Sequence, residues 1–147
     1  MRMNQPAGGT AKKPRGPRVR LGDESIDIGQ RSDVDSLLAE FERLDADARG
    51  AFLCIVAHDL TVAIRSVVYD PPITEEGLDR AKWINEALHQ LTSCVNPHHR
   101  WSAHDEAELI RGLIEDSFQH GFDGWVGRAI TAAASDTIDT KKSVAAR

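Results

Sequence analysis

Apolar residues recur at helical spacing in five successive segments, and this pattern predicts an all-α protein. The first helix is predicted from Ser32, which together with Asp35 resembles a capping box. The second is predicted from Asp47 to Tyr69, where a Pro-Pro pair ends it. The apolar stripe of the first helix consists of Val34, Leu37, Leu38, Phe41 and Leu44.

Cap residues delimit three further helices. Thr74 is a good N-cap for the third, which is predicted to reach about Val95 before an Asn-Pro pair. Ser102 caps the fourth, and Gly121 follows it in the position of a C′ glycine. A short fifth helix is predicted over about 123–134. Helices joined by short connections pack as antiparallel neighbours, so the predicted fold class is a four- or five-helix antiparallel bundle.

The two ends of the chain lack this pattern. Residues 1–22 combine Gly, Pro, Lys and Arg with almost no apolar content, which predicts a disordered basic N-terminal tail. Residues 23–31 are predicted to be a short polar linker, with at most a brief extended piece and no paired strands. The helical bundle domain is therefore predicted at 32–134, and a frayed or disordered C-terminal tail at 135–147.

Charge is distributed unevenly along the chain. The first twenty residues hold six of the 18 basic residues and no acidic one, whereas residues 21–147 carry 12 basic and 23 acidic residues, a net charge of −11. This net negative charge of residues 21–147 argues against a broad nucleic-acid-binding face on the folded part of the chain. The arm itself is an alternative nucleic-acid contact of the minor-groove type, or else a solubilising polybasic tail. Its basic residues are Lys12, Lys13, Arg15, Arg18 and Arg20.

The apolar content also sets expectations about compartment and chemistry. No N-terminal segment has the pattern of a signal peptide, and the longest unbroken apolar run, Ala51–Ala57, is too short for a membrane span. We therefore expect a cytoplasmic protein with no membrane partner. Cys54 and Cys94 lie within apolar helical patterns, which predicts two small core residues rather than a disulfide. We expect no metal and no cofactor, because no cysteine–histidine ligand spacing is present.

Polar residues interrupt the second helix. His58, Asp59, Thr61, Arg65 and Ser66 fall in a single sector of the helical wheel. Adjacent side chains on a helix diverge by about 100°, so His58 and Asp59 are a poor catalytic pair. This polar sector predicts either a network between helices or an interface, and Arg65 is a candidate partner-binding residue.

The loop before the fourth helix concentrates imidazoles, an arginine and a tryptophan. Trp and Arg are favoured anchors at protein interfaces, so His98, Arg100 and Trp101 are the other candidate partner-binding residues. One alternative is a loop whose tryptophan folds back over the end of the bundle. Another is a divalent metal site at the histidines, although adjacent histidines rarely bind one metal with good geometry.

His89 is a candidate of a different class. A histidine phosphotransfer bundle needs a solvent-facing histidine midway along a helix, and His89 meets that demand with Lys82 on the same face. The residues after it lack the basic and small side chains that such domains place there. Glu86 and His89 form a single Glu-x-x-His motif, whereas di-metal bundles use two.

The sequence contains no serine nucleophile elbow, P-loop or glycine-rich dinucleotide turn. We therefore expect a non-enzymatic regulatory or adaptor protein whose helical bundle contacts another protein or a second copy of itself. The alternatives are a nucleic-acid-associated protein tethered by its basic arm, and a histidine phosphotransfer or metal-binding helical protein.

Overall fold

The computed structural model describes residues 16–69, 74–95 and 100–139, with the backbone alone for residues 67–69. Five α-helices and a small two-stranded sheet make up this part of the chain, which confirms the predicted all-α bundle. The elements are β1 (Arg18–Leu21), β2 (Glu24–Asp27), α1 (Arg31–Arg43), α2 (Ala46–Tyr69), α3 (Glu75–Cys94), α4 (Ala103–Gln119), α5 (Asp123–Ala134) and a π-helical turn (Ser135–Asp139). None of the described helices is long and apolar enough to cross a membrane.

The predicted caps of α3 and α4 are confirmed. The Thr74 hydroxyl accepts a hydrogen bond from the backbone N–H of Gly77 at 2.9 Å. The Ser102 hydroxyl accepts one from the N–H of Asp105 at 3.1 Å. Gly121 follows α4 with a φ of +71°, a left-handed conformation that glycine adopts without steric cost.

The predicted capping box of α1 is wrong. The helix begins at Arg31, with Gln30 at the N-cap and no side-chain cap, so Ser32 already lies inside it. The carboxylate of Asp33 accepts a hydrogen bond from the N–H of Asp27 at 2.8 Å instead. An acidic residue of the first turn thus ties α1 to the strand before it.

Helix α2 is central and packs most extensively against α3 and α5. Phe52 on α2 meets Phe41 of α1 edge to face, with ring centroids 5.1 Å apart and planes at 71°. The buried side of α2 therefore packs with α1, α3 and α5 in one core. The buried residues of α2 are Phe52, Leu53, Val56, Leu60 and Ala63.

The structure differs from the predicted tail and linker over residues 18–27, which form a β-hairpin. Leu21 pairs with Glu24, so the loop has two residues and begins at Gly22, whose φ is +61°. A two-residue loop with glycine first is a favoured hairpin connection, but too few apolar residues flank Gly22 and Asp23 for the sequence pattern to predict one. The hairpin contributes Val19, Leu21 and Ile26 to the core, and Ile28, directly after it, is also buried there.

The hairpin docks on α5 through close backbone approach at Gly127. A Cβ atom at that position would lie 2.3 Å from the Cβ of Pro17. The carbonyl of Pro17 in turn accepts a hydrogen bond from the N–H of Ile28 at 3.1 Å. Only glycine at position 127 leaves room for this contact.

The prediction of a frayed C-terminal tail is wrong for residues 135–139. The helix continues there as a π-helical turn in which Thr137 and Ile138 are buried. The N–H of Gly22 donates to the Asp139 carboxylate at 2.8 Å, so this turn and the hairpin hold each other. Residues 140–147 of the predicted tail, and 1–15 of the predicted N-terminal tail, lie outside the described residues.

Candidate interaction surface

The side of α2 that faces away from the core is exposed from Asp47 to Arg65, and we call it the outer face of α2. Apart from His58, its middle part carries small or apolar side chains, and Val62 is 47% exposed. Charged residues stand only at its two ends. The exposed residues that define it are Asp47, Ala51, Cys54, His58, Thr61, Val62 and Arg65.

The solvent sides of α3 and α4 are strongly charged by comparison. Exposed acidic and basic residues are typical of a helix side that stays in water. Those on α3 are Glu75, Glu76, Asp79, Lys82 and Glu86, and those on α4 are Asp105, Glu108, Glu115 and Asp116. The outer face of α2 differs from both, because the half-buried Asp59 is the only Asp, Glu, Lys or Arg between Ala51 and Val62.

The polar sector predicted on α2 reaches solvent rather than another helix. The Thr61 hydroxyl donates to the carbonyl of Ala57 at 2.9 Å, within the same helix. Within the described part of the chain, no hydrogen bond or ion pair joins His58, Asp59 or Arg65 to another element. Within the described residues, the polar sector of α2 therefore does not form a network with another helix.

The two cysteines differ in environment. Cys94 is buried, as predicted, and its thiol donates to the carbonyl of Leu91 at 3.1 Å. Burial raises the pKa of Cys94 to about 11, with a further contribution from the nearby carboxylate of Glu106. Cys54 was also predicted to be a core residue, but it is exposed on the outer face of α2. Both cysteines have apolar neighbours in the sequence, so the sequence pattern did not distinguish the exposed Cys54 from the buried Cys94.

Of the four residues predicted to bind a partner, three lie in the described part of the chain, and Arg65 is far from Arg100 and Trp101. Trp101 is 37% exposed, and Arg100 precedes it at the start of α4. Arg65 lies 19 residues after Ala46 along α2, which corresponds to about 28 Å of helix. The fourth, His98, lies outside the described residues.

Arg100 has partners within the chain. Its Nε donates to the Oε2 of Glu106 at 3.0 Å, and its Nη2 donates to the carbonyl of Ala46 at 2.7 Å. The guanidinium therefore connects the start of α2 to the first turn of α4. Its role in binding a partner stays a prediction, as do those of His98, Trp101 and Arg65.

Sequence reasoning missed the buried carboxylate at the centre of this connection. Glu106 has no exposed side-chain surface, and the Nε of Arg49 lies 2.7 Å from its Oε1. Arg49 also donates through Nη1 to the carbonyl of Leu44 at 2.7 Å. An acidic residue in a first helical turn usually indicates only a favourable dipole interaction, so the burial of Glu106 could not be predicted from its position.

An aromatic stack closes the other end of α4. The rings of His120 and Trp83 lie 5.8 Å apart at 27°, and Trp83 also stacks on Phe122 at 5.6 Å. The Nδ1 of His120 is 3.4 Å from the Oδ2 of Asp79. These contacts fasten the α4–α5 connection to α3, and the sequence patterns did not indicate them.

His89 is exposed on α3, as its predicted role requires. It borders an open groove of about 490 Å³ that Glu86 also lines. An acidic neighbour disfavours a phosphoryl group there, and the phosphotransfer role stays a prediction. Among the described residues, no group of three or more His, Cys, Asp or Glu side chains is placed to hold a metal ion.

Two residues of the basic arm belong to the folded domain. Arg18 and Arg20 lie on the exposed side of β1, and Arg18 donates through Nε to the Ser25 hydroxyl at 2.9 Å. Arg20 donates through Nη2 to the carbonyl of Gly22 at 3.4 Å. The other residues of the arm, Lys12, Lys13 and Arg15, lie outside the described residues.

Two smaller clefts flank α4. One, of about 260 Å³, is lined by Ile28, Phe118 and Arg111 among others. The Nη2 of Arg111 donates a hydrogen bond to the Oδ1 of Asp35 at 2.6 Å. This hydrogen bond raises the pKa of the Arg111 guanidinium. The other, of about 230 Å³, lies between α3 and α4 beside Gly112. Both are below the usual size of a small-molecule site, roughly 300–1,000 Å³.

Comparison of the chain with protein-family models, curated proteins and solved structures found no match. The choice of a functional surface therefore depends on the geometry of the chain itself.

Proposed function

We propose that this chain is a non-enzymatic regulatory or adaptor protein that acts by protein–protein contact through the outer face of α2. The observation that carries the proposal is a mismatch between the composition of α2 and its exposure. Outside the polar sector of His58, Asp59, Thr61, Arg65 and Ser66, α2 has small or apolar residues around its circumference, and apolar helix surface of this extent is normally covered by neighbours. Ala51, Cys54 and Val62 are nevertheless exposed on its outer face.

The chemistry of the outer face fits a protein partner better than a small ligand. It is one side of a single helix, and between Ala51 and Val62 it carries no Asp, Glu, Lys or Arg apart from the half-buried Asp59. Depletion of charged residues is the compositional mark of the centre of a protein interface. Charged residues at the two ends, Asp47 and Arg65, give such an interface a polar rim.

The proposal is tested by affinity purification with variants of the full chain as bait. Val62→Glu places a charge on the apolar part of the outer face, and Leu78→Glu is the matched control. Leu78 is 50% exposed on α3, so both variants add one carboxylate at an exposed apolar position. We expect a partner retained by the wild-type chain and by Leu78→Glu to be lost by Val62→Glu. Equal retention on both variants would exclude the outer face of α2 as the binding surface.

Nucleic-acid association is a second candidate, supported by one observation. The exposed positions of Arg18 and Arg20 extend the charge of the preceding arm onto the folded domain. Phosphate contacts of this kind make affinity strongly salt dependent. We expect replacement of Lys12, Lys13 and Arg15 by alanine to remove a low-salt gel shift of duplex DNA or RNA. Absence of any shift by the wild-type chain at low salt would reject this function.

A further inference from the structure

The exposed residues of α2 have the spacing of a coiled-coil seam. From Asp47 to Arg65 the exposed positions 47, 51, 54, 58, 61 and 65 follow one another at alternating intervals of four and three residues. This alternation keeps one stripe of a helix facing a second helix along its whole length. Beside it lies a flank of apolar residues seven apart: Ala48, Ile55 and Val62.

We propose that a second copy of this chain covers the outer face of α2, so that the two α2 helices pair in antiparallel orientation about a two-fold axis. The inference rests on the proposed function, because it names the partner of the same surface. A two-fold pair needs a self-complementary patch, in which residue i meets residue j and residue j meets residue i.

The two charges of the seam supply that complementarity. Asp47 and Arg65 are the only Asp, Glu, Lys or Arg residues on it, and they lie at its opposite ends, 18 residues or about 27 Å apart. Antiparallel pairing centred on Val56 brings each Asp47 against Arg65 of the second copy. Parallel pairing would oppose like charges at both ends, which is unfavourable.

The same register matches the side chains between these ends. Ala51 comes level with Thr61 of the second copy, and Cys54 comes level with His58 of the second copy. Alanine, cysteine and threonine are small and His58 is larger, so each histidine of the seam lies opposite a small side chain and we expect an interaxial distance within the usual range of about 8–10 Å. In an antiparallel pair the apolar flanks adjoin, which places Ile55 beside its own equivalent near the two-fold axis.

The size of the seam sets the expected strength of association. One helix pair is small compared with a standard interface, which buries about 800 Å² on each partner. We therefore expect a micromolar dimer rather than an obligate one. The five-helix core does not depend on it, since the inner side of α2 is already buried against its own chain.

The experiment is sedimentation equilibrium of the full chain from about 1 to 500 µM, with charge-exchange variants. We expect the wild-type chain to dimerise reversibly. Arg65→Asp should raise the dissociation constant about tenfold or more, because the two-fold axis repeats the repulsion from Asp47 at both ends. Combining it with Asp47→Arg should restore dimerisation. Lys82→Asp, an equal charge change at an exposed position of α3, should leave the constant unchanged.

The outcomes separate this inference from the function on which it rests. A wild-type chain that stays monomeric at all concentrations overturns self-pairing, while a partner lost specifically by Val62→Glu would still support the function. A dimer that Arg65→Asp and Lys82→Asp weaken equally overturns the role of the outer face. If Arg65→Asp weakens the dimer and the added Asp47→Arg does not restore it, the antiparallel register is wrong.

Discussion

The Nε of Arg49 lies 2.7 Å from the Oε1 of Glu106, a carboxylate with no exposed side-chain surface. Arg100 approaches the other oxygen of the same carboxylate at 3.0 Å. Both arginines also donate to backbone carbonyls at the α1–α2 connection, those of Leu44 and Ala46. The buried Glu106 side chain of α4 is therefore linked, through these two arginines, to the connection at which α2 begins.

We expect Glu106→Gln to lower the free energy of unfolding by about 3–5 kcal/mol, the usual effect of breaking a buried ion pair. The substitution keeps the shape of the side chain but leaves Arg49, only 13% exposed, without its counter-charge. Urea denaturation monitored by circular dichroism measures the change.

Glu108→Gln is the matched control, because Glu108 is 51% exposed and its contact with Arg111 lies at the surface. That variant should change stability by less than about 1 kcal/mol. Equal effects would mean that burial of the ion pair does not determine its contribution.

Two helical glycines should respond to alanine in opposite directions. A Cβ atom at Gly112 would meet nothing within 4 Å, whereas one at Gly127 would lie 2.3 Å from the Cβ of Pro17. We expect Gly112→Ala to stabilise the fold by about 0.5–1 kcal/mol through helix propensity and reduced chain entropy. Gly127→Ala should destabilise it by about 1–3 kcal/mol, because the hairpin must move away from α5.

Thermal unfolding of the two alanine variants measures this difference, and each variant serves as the control for the other. Destabilisation by both would show that Gly112 has a packing role that its open surroundings do not indicate. Stabilisation by both would show that Pro17 gives way without loss of contact.

The turn that follows α5 supplies another matched pair. Ile138 is 1% exposed, whereas Asp136, in the same π-helical turn, is exposed. We expect Ile138→Ala to lower the free energy of unfolding by about 2–4 kcal/mol through loss of buried surface and the cavity left behind. Asp136→Ala should change it by less than about 0.5 kcal/mol. A small effect at Ile138 would show that the turn does not contribute to the core. Urea denaturation measures both.

The helices could be predicted from the sequence because their signals are local. Thr74 and Ser102 act through hydrogen bonds three residues away, and the apolar stripes extend over several turns. The hairpin was missed because it depends on contacts distant in sequence. Val19 and Leu21 become buried only against α5 and the turn after it. In the sequence they are two apolar positions among arginines, too few to show the alternation of apolar and polar residues that is typical of a strand.

The candidate surface was predicted in part. Helical spacing correctly grouped His58, Thr61 and Arg65 on one side of α2. Spacing alone does not tell which apolar side of a helix its neighbours cover, so Cys54 was assigned to the core. The burial of Glu106 was beyond reach for a related reason, because its partners Arg49 and Arg100 come from separate segments that only the fold brings together.

Stability at alkaline pH should depend on Cys94. Burial raises the pKa of its thiol from 9.0 to about 11, so the unfolded chain loses this proton at a lower pH than the folded chain does. Between these pH values the folded state binds more protons, and the free energy of unfolding falls as pH rises. The loss should reach about 2 kcal/mol by pH 11 and be absent well below pH 9.

Urea denaturation from about pH 7 to 11 isolates this effect when the wild-type chain is compared with Cys94→Ala. Removing the buried thiol changes the stability at neutral pH, but it should also flatten the alkaline part of the profile. Cys54→Ala is the matched control, since that thiol is exposed and its loss should leave the wild-type slope in place. If the wild-type and Cys94→Ala profiles run parallel through pH 11, the ionisation of Cys94 is not linked to unfolding.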